Sequence, residues 1–597
     1  MAHSVTVTAA HPLDGLGLRM AGPPALTAVA ARHLALLGAT GPGSAASGGP
    51  GIVSLSDTGG PPLSAEIVWA EIASPEEVSD EATAQAATGV AHVHGRRDGE
   101  PRGLAADYLT TTCSVLAVQG LLAALIGRAR GRAVETVRTG VDLAGLLAVG
   151  QYLAAATAGE AEAVPFSPGG PPFTTADGVC FEVETLDPAV WTTFWRALGV
   201  AERLAGSAWK SFQFRYATAC CPLPAELHAR VGAANWEEVR HAAKESGASV
   251  CALRSLAGRL AEPRPAAPWR LSPLLPASGP PSPGAAAETV RPLAGLTVLE
   301  AGRRIQAPLT AHLLGLLGAD VVRIEPPGGD PLRGMPPMCG DLSARWLALN
   351  RGKRAVEIDI KSAGGRAELR DLAAGADVFV HNWAPGTAER LGLDDRDLSA
   401  VNPALVYAYT SGWAGRLADV PLGTDFMVQA RTGVGEAVRP AGEVAAPSLM
   451  TLLDVLGGLL GAEAVLAGLL LRERDGRGVR VDSSLLGAAE VLTGPALRRA
   501  AGGGDSRAPE GFRRPLRTAD GWVSVADDSA GRLGAAFPGE IAEMTSAEAL
   551  ASLRRRGLRA TAVTTALEAL PADPRFASAL TRDEHGALAV PAPWRFA

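Results

Sequence analysis

The sequence lacks any CxxC pair, any run of more than three basic residues and any glycine fingerprint for a dinucleotide or a P-loop, and it is poor in lysine. Each absence narrows the chemistry. Six cysteines (Cys113, Cys180, Cys220, Cys221, Cys251 and Cys339) without metal-ligand spacing argue against a zinc site, a disulfide scaffold or any resident metal, and a reducing cytoplasm fits. Without GxGxxG or GxxxxGK[ST], nicotinamide dinucleotides and P-loop ATP are poor candidates. A net charge of −7 gives no reason to expect nucleic acid as a partner. The opening MAHSVTVTAAHPLDG has no charged stretch leading into an apolar one, so no signal peptide is expected. The longest apolar runs contain Gly, Glu or Gln and end in Arg-rich turns, which reads as buried helices and not as membrane spans.

What is present is a chain of 597 residues, too long for one core and, at 47% hydrophobic and 20% charged, composed like a soluble globular protein of two or more domains. It contains itself twice. His11-Pro12-Leu13-Asp14-Gly15-Leu16 echoes Arg291-Pro292-Leu293-Ala294-Gly295-Leu296, and Leu36–Ala39 echoes Leu316–Ala319 at the same offset (316 − 36 = 280). Gln85–Val90 answers Gln429–Val434 at another offset (429 − 85 = 344), which continues without a gap to place Arg128 on Arg472. The first copy therefore lacks a net 64 residues (344 − 280) between Ala39 and Gln85, where it has the short run TGPGSAASGGPG. The division expected is a degenerate half at 1–265, a Pro/Ala-rich linker at 266–290, and a fuller half at 291–597.

In the second half short apolar strands alternate with helical stretches. Strands are expected at 296–302, 320–325, 355–360, 377–382 and 405–410, with helices at 308–319 and 364–376. This is the pattern of an α/β fold with an open, mostly parallel sheet that binds ligands at the carboxyl ends of its strands. The Gly/Pro turn EPPGGDPLRG (325–334), with Arg333, and NRGKR (350–354), with Lys353 and Arg354, could face an anion or could be solvated polar turns.

The stretch from Pro447 to Leu486 has as its centre a buried helix, apolar or small from Val455 to Leu471. Asp454 stands near its start, followed by Gly457-Gly458. One reading makes it a helix cap. The other makes it a nucleophile at a positively polarised helix end, with the glycines letting a substrate come close. At the offset of 344 its counterpart in the first copy is Thr110, which can hold a helix end but cannot serve as a carboxylate nucleophile.

PLAGLTVLEAGRRIQAP, LLGADVVRIEPPGGDPLRG, LNRGKRAVEIDI, DVFVHNWAPGTAERLGL, LLLRERDGRGVRVDSSLL, RTADGW and APWRF, in that order from Pro292 to the C-terminus, resemble the class III CoA-transferases, or CaiB/BaiF family. The resemblance implies a Rossmann-like CoA-binding domain with a smaller α+β domain, here as two unequal interlocked copies. It implies CoA transfer from an acyl-CoA to a carboxylic acid, with coenzyme A present as substrate. It makes Asp454 the nucleophile that forms an aspartyl anhydride and then an aspartyl-CoA thioester, a role for which a low carboxyl pKa would keep it ionised. It places Gln306 near the thioester, Asn382 near the CoA arm, and Arg333, Lys353 and Arg354 as candidates for CoA phosphates. Gly502-Gly503-Gly504 falls where some members carry a mobile loop, though a plain connector is an equal reading.

Racemases of this family carry a GHD motif, whereas this chain reads Gly423-Thr424-Asp425, so one base of a proton exchange is missing. The alternatives kept open are an acyl-CoA racemase or isomerase, and a non-catalytic acyl-CoA-binding protein. Because family members are interlocked homodimers, the chain is expected to be a monomer acting as an intramolecular pseudo-dimer, without nucleic-acid or membrane partners.

Overall fold

A computed structural model describes residues 11–41, 48–57, 61–274, 291–534 and 537–597. Half of the TGPGSAASGGPG run (42–47) and the linker from 275 to 290 lie outside them. In the second half six strands, Thr297–Ala301, Asp320–Glu325, Arg354–Glu357, Val378–His381, Val406–Ser411 and Val479–Ser484, are all parallel. Numbered by chain position they run 3-2-1-4-5-6 across the sheet, the doubly wound order. The strand expected to reach residue 360 stops at Glu357. Asp359 accepts from the Lys361 N–H at 3.1 Å and Ser362 caps the helix Ala363–Ala374, so the chain turns there.

The first half begins the same sheet and abandons it. Gly17 makes an isolated parallel bridge to Thr40, and Thr297 pairs in parallel with Asp320, each pair related by the offset of 280. Among the described residues, that bridge is the whole of the parallel pairing there. Instead Gly51–Ser56 runs antiparallel between Gly17–Ala21 and Leu63–Val68. The parallel pair Leu63–Val68 and Thr136–Gly140 then matches Val406–Ser411 and Val479–Ser484. What was lost is the part of the sheet where the strand order reverses.

The halves are interlocked by exchange. The first half's closing strand, Trp269–Pro273, lies antiparallel on Val479–Ser484 of the second half. The second half's closing strand, Arg595–Phe596, lies antiparallel on Thr136–Gly140 of the first. Both come from one repeated segment, APWRL at 267–271 and APWRF at 592–596. Thus the start of the segment expected to be a linker is a sheet edge. The small sheets cross over as well. Arg254, beside the sheet Phe173–Thr174, Cys180–Glu184 and Ser249–Ala252, donates to Ala430 O at 2.8 Å. Thr564, beside the sheet Leu516–Arg517, Trp522–Val525 and Ala560–Ala562, donates to Ala86 O at 2.9 Å, and 430 − 86 = 344. Each small sheet therefore covers the other half's counterpart site.

At the centre the helices Tyr108–Ala129 and Leu452–Asp475, both long and apolar enough to cross a bilayer, pack on one another. Each window is 94% buried, so their apolar length is used inside the protein. Tyr108 Oη donates to Leu452 O at 3.2 Å and Gln119 Nε2 to Leu459 O at 2.7 Å. His33 of the first half meets the fully buried Glu463 of the second at 3.0 Å.

Candidate active site

In a doubly wound sheet the crevice lies at the carboxyl ends of the two strands from which the chain departs in opposite directions. Here those are Thr297–Ala301 and Val378–His381, and the turns that follow them are tied together. Asn382 accepts from the Arg303 N–H and donates to the Arg303 carbonyl, both at 2.9 Å. Asn382 therefore holds the turn Gly302–Ile305 by its backbone. Within that turn Arg304 sits at φ +63°, a left-handed conformation disfavoured for a residue with a side chain. The crevice opens into a cleft of about 590 Å3 whose wall includes Arg303, Arg304, Gln306, Asn382, Trp383 and Asp454.

Asp454 is the third residue of the helix Leu452–Asp475. The residue before that helix, Thr451, is also left-handed at φ +56°, a costly state for a β-branched residue. The helix start is pinned by a second acid: Asp425 accepts from the Asp454 N–H at 2.6 Å and also from the Leu453 N–H. Gln429 Nε2 donates to Asp425 at 2.5 Å and to Ser448 O at 2.9 Å. The first half repeats the device. Glu81 accepts from the N–H groups of Leu109 and Thr110 and from Gln85 Nε2, all at 2.8 Å. Capping is thus done from outside the helix in both halves, which frees the side chain of Asp454 from that task. In the first half the Thr110 hydroxyl turns back to Glu81 at 2.9 Å.

The electrostatics depart from the expectation of a low carboxyl pKa. Burial raises the pKa of Asp454 well above the usual aspartate range, Asp425 raises it further, and Arg304 opposes them. Asp425 itself is raised to about 6, chiefly by burial. The two carboxyls form a crowded pair whose charge is only partly offset. Such an acid is less ionised than an exposed one, and its anion is poorly hydrated and so more reactive.

The two glycines after Asp454 serve packing. A Cβ on Gly457 would stand 2.9 Å from Gln306 Nε2, and one on Gly458 would stand 2.9 Å from Gln306 O. Their absence of side chains lets the helix Gln306–Leu316 lie against the first turns of Leu452–Asp475, where Gln306 borders the cleft beside Asp454. The expected opening for substrate at these glycines is filled by Gln306 and Leu309.

The proposed phosphate ligands are not gathered there. Lys353 is buried, and its three N–H donors go to Glu300 at 2.7 Å, Pro308 O at 2.8 Å and Asn350 at 2.9 Å. With no donor left, it turns inward as the partner of a buried acid. Arg354 is exposed on an outer strand and paired with Asp320. Arg333 pairs with Glu325 at 2.8 Å and stacks on Trp346 at 3.9 Å. None of the three borders the cleft at Asp454. Gly502–Gly504 closes the helix Leu485–Ala501, with Gly504 N–H donating to Arg499 O at 3.0 Å, and borders neither cavity that reaches Asp454.

The site also contains residues that sequence reading passed over. A second cavity of about 390 Å3 meets the cleft at Leu186, Tyr216, Arg304, Ile305 and Asp454, and its far wall comes partly from the first half, including Trp209 and Phe214. Glu184, from the small sheet of the first half, accepts from the hydroxyls of Tyr216 and Thr424, and faces Arg215 at 2.9 Å. Arg304 lies over the Tyr216 ring at 5.6 Å. The Arg303-Arg304 pair beside Gln306 was visible in the sequence. Nothing in the sequence placed Glu184 and Tyr216 there, because they arrive from the other half.

The matching place in the first half is filled. Arg513, itself at φ +56°, pairs with Asp107 at 2.7 Å and with Asp527 at 2.6 Å, and donates to the carbonyls of Leu104 and Ala106. Counterion and cation together occupy the space beside Thr110.

Comparison with known proteins bears on both halves. The family model described as CoA-transferase family III matches residues 75–268 and 293–582. The succinyl-CoA–L-malate CoA-transferase beta subunit of Chloroflexus aurantiacus is 39% identical over 33% of this chain and 50% of its own. The acetyl-CoA:oxalate CoA-transferase of Acetobacter aceti is 34% identical over 38% of this chain and 58% of its own. The alpha subunit of the Chloroflexus enzyme is 32% identical over 47% of this chain and 69% of its own. The chain thus spans only 50% and 58% of the first two relatives. A CaiB/BaiF family protein from Brucella suis is 26% identical over 51% of this chain and 93% of its own, with a TM-score of 0.45.

Proposed function

Since the chain belongs to CoA-transferase family III, we propose that it transfers coenzyme A from an acyl-CoA to a carboxylic acid with Asp454 as the covalent nucleophile. The observation that carries this is the position of Asp454, a carboxyl relieved of helix capping and standing where the cleft of the parallel sheet meets the second cavity. The Asp454 carboxylate attacks the donor thioester and expels CoA thiolate, leaving an acyl-aspartyl anhydride. The thiolate attacks the aspartyl carbonyl, forming aspartyl-CoA and releasing the donor acid. The acceptor carboxylate attacks aspartyl-CoA to give a new anhydride and free thiolate. The thiolate then takes the acceptor acyl group, and Asp454 is restored.

Gln306 and the backbone turn held by Asn382 border the reacting centre, and Arg304 favours the anionic form of Asp454. Arg303, whose side chain has no partner among the described residues, suits the anionic end of CoA better than Arg333, Lys353 or Arg354, which carboxylates already neutralise. Residues 1–265 act as the partner subunit of the catalytic half 291–597, in a chain working as one pseudo-dimer. Thr424 donates to Glu184 in the place of the racemase histidine, which disfavours a two-base proton exchange.

Intact-mass and peptide analysis after mixing with an acyl-CoA is expected to find the acyl or CoA adduct on Asp454. A carboxylate acceptor labelled with heavy oxygen is expected to leave one labelled oxygen there. Adduct-free protein with any turnover would remove the covalent scheme. The pH dependence has a definite sign. Because the anion is the nucleophile and the folded pKa is raised, the acylation rate is expected to rise with pH along a limb displaced upward from the usual carboxylate range of ~4. Asp425→Asn, which removes a neighbouring negative charge, is expected to move that limb to lower pH in single-turnover measurements.

A further inference from the structure

The cleft at the end of the parallel sheet and the second cavity differ in what they can solvate. The second, about 390 Å3, falls within the usual range of ligand pockets, roughly 300–1,000 Å3. Leu186, Trp209 and Phe214 of the first half and Leu332, Met335 and Trp346 of the second form its apolar wall. Two arginines also reach it, and the charge of each already faces a carboxylate, although Arg215 Nε and Arg345 Nε donate to nothing among the described residues. Arg215 faces Glu184 at 2.9 Å. Arg345 pairs with Glu162 at 2.5 Å and donates to the carbonyls of Pro336 and Ala217. Arg304 has no hydrogen-bond partner among the described residues, but it stands at the mouth against Asp454, where the reacting carboxyl belongs. A second carboxylate, carried to the far end of the chamber, would lose its water and meet no free cation. Leu186, 52% exposed, presents apolar surface at the mouth for a ligand to cover.

We infer that this chamber takes an uncharged, apolar acyl group of branched-chain or aromatic size, and that it sets the substrate class away from short dicarboxylates. The inference rests on the transferase reading above, in which the group attached to the thioester carbonyl must extend from Asp454 away from the CoA cleft. It also assigns half of the specificity wall to the degenerate copy, so loss of a nucleophile there left a retained duty.

The test compares phenylacetyl-CoA with succinyl-CoA as acylating agents of Asp454, by intact mass in single turnover. Phenylacetyl-CoA is expected to react at least about 100-fold faster, in line with pockets that leave a polar group unpaired. Met335→Arg, which adds a free cation at the apolar wall, is expected to cut that ratio to about 10-fold or less. Equal or faster acylation by succinyl-CoA in the wild type overturns the inference and leaves the transfer reading standing. An unchanged ratio in a folded Met335→Arg protein overturns it too. If neither thioester acylates Asp454, the transfer reading fails. The chamber is then decided by equilibrium dialysis of labelled phenylacetate and succinate against the full chain: preference for phenylacetate supports it, and parity or preference for succinate overturns it.

Discussion

Asp454→Asn is expected to abolish CoA transfer, lowering turnover by about 10⁴-fold or more while leaving the fold intact. The magnitude follows from losing a covalent route outright, since such residues act as a unit with the rest of the site. The fold should survive because the helix start is held through the Asp454 backbone N–H by Asp425, and this hydrogen bond does not involve the side chain being changed. Thr110 in the first half demonstrates the point, since the same helix position there carries no acid and is held by Glu81. Transfer rates with matched circular dichroism and thermal melts separate the two effects. Activity within about 10-fold of the wild type would exclude Asp454 as nucleophile. Thr110→Asp in the same protein is expected to restore nothing, because Arg513 is already paired with Asp107 and Asp527 nearby and, among the described residues, Gly17–Ala21 has an antiparallel neighbour in place of the parallel strands that frame the crevice of the second half.

The second large effect concerns the halves. Deleting residues 1–265 is expected to leave 266–597 inactive and poorly soluble, and co-expression of 1–265 is expected to recover at least part of both properties. Deletion strips the helix Tyr108–Ala129 from the apolar face of Leu452–Asp475. It also removes His33 from the buried Glu463, and loss of a buried hydrogen-bond partner costs about 1–3 kcal/mol. Finally it takes away Glu184, Tyr216 and the far wall of the second cavity. Soluble expression and single-turnover acylation check this, and a stable, fully active 266–597 fragment would refute the shared-site arrangement.

Much of the second half was legible because its elements are local. The strand Asp320–Glu325 coincides with the apolar run expected there, and the long central helix was expected from its uninterrupted apolar centre. Alternation and apolar length report on the chain's immediate neighbours, so a reading along the chain recovers them. The repeat also showed which half kept the acid. The expected glycine opening at Gly457-Gly458 failed for the opposite reason. A glycine admits whatever is close, and the sequence does not say whether that is a substrate or Gln306. Lys353 failed likewise, since a cation beside a strand looks the same whether it faces solvent or a buried Glu300.

By itself, then, the sequence determined the family-like α/β half, the tandem repeat, the missing stretch in the first copy and the exchange of an acid for Thr110. These depend on residue identity and spacing. Only the tertiary structure decided that the closing strands trade sheets, that the small sheets cross to the opposite sites, and that Glu184 and Tyr216 stand near Asp454. Those contacts join residues hundreds of positions apart. They are chosen by which surfaces bury best together, a property of the folded whole that no local pattern encodes.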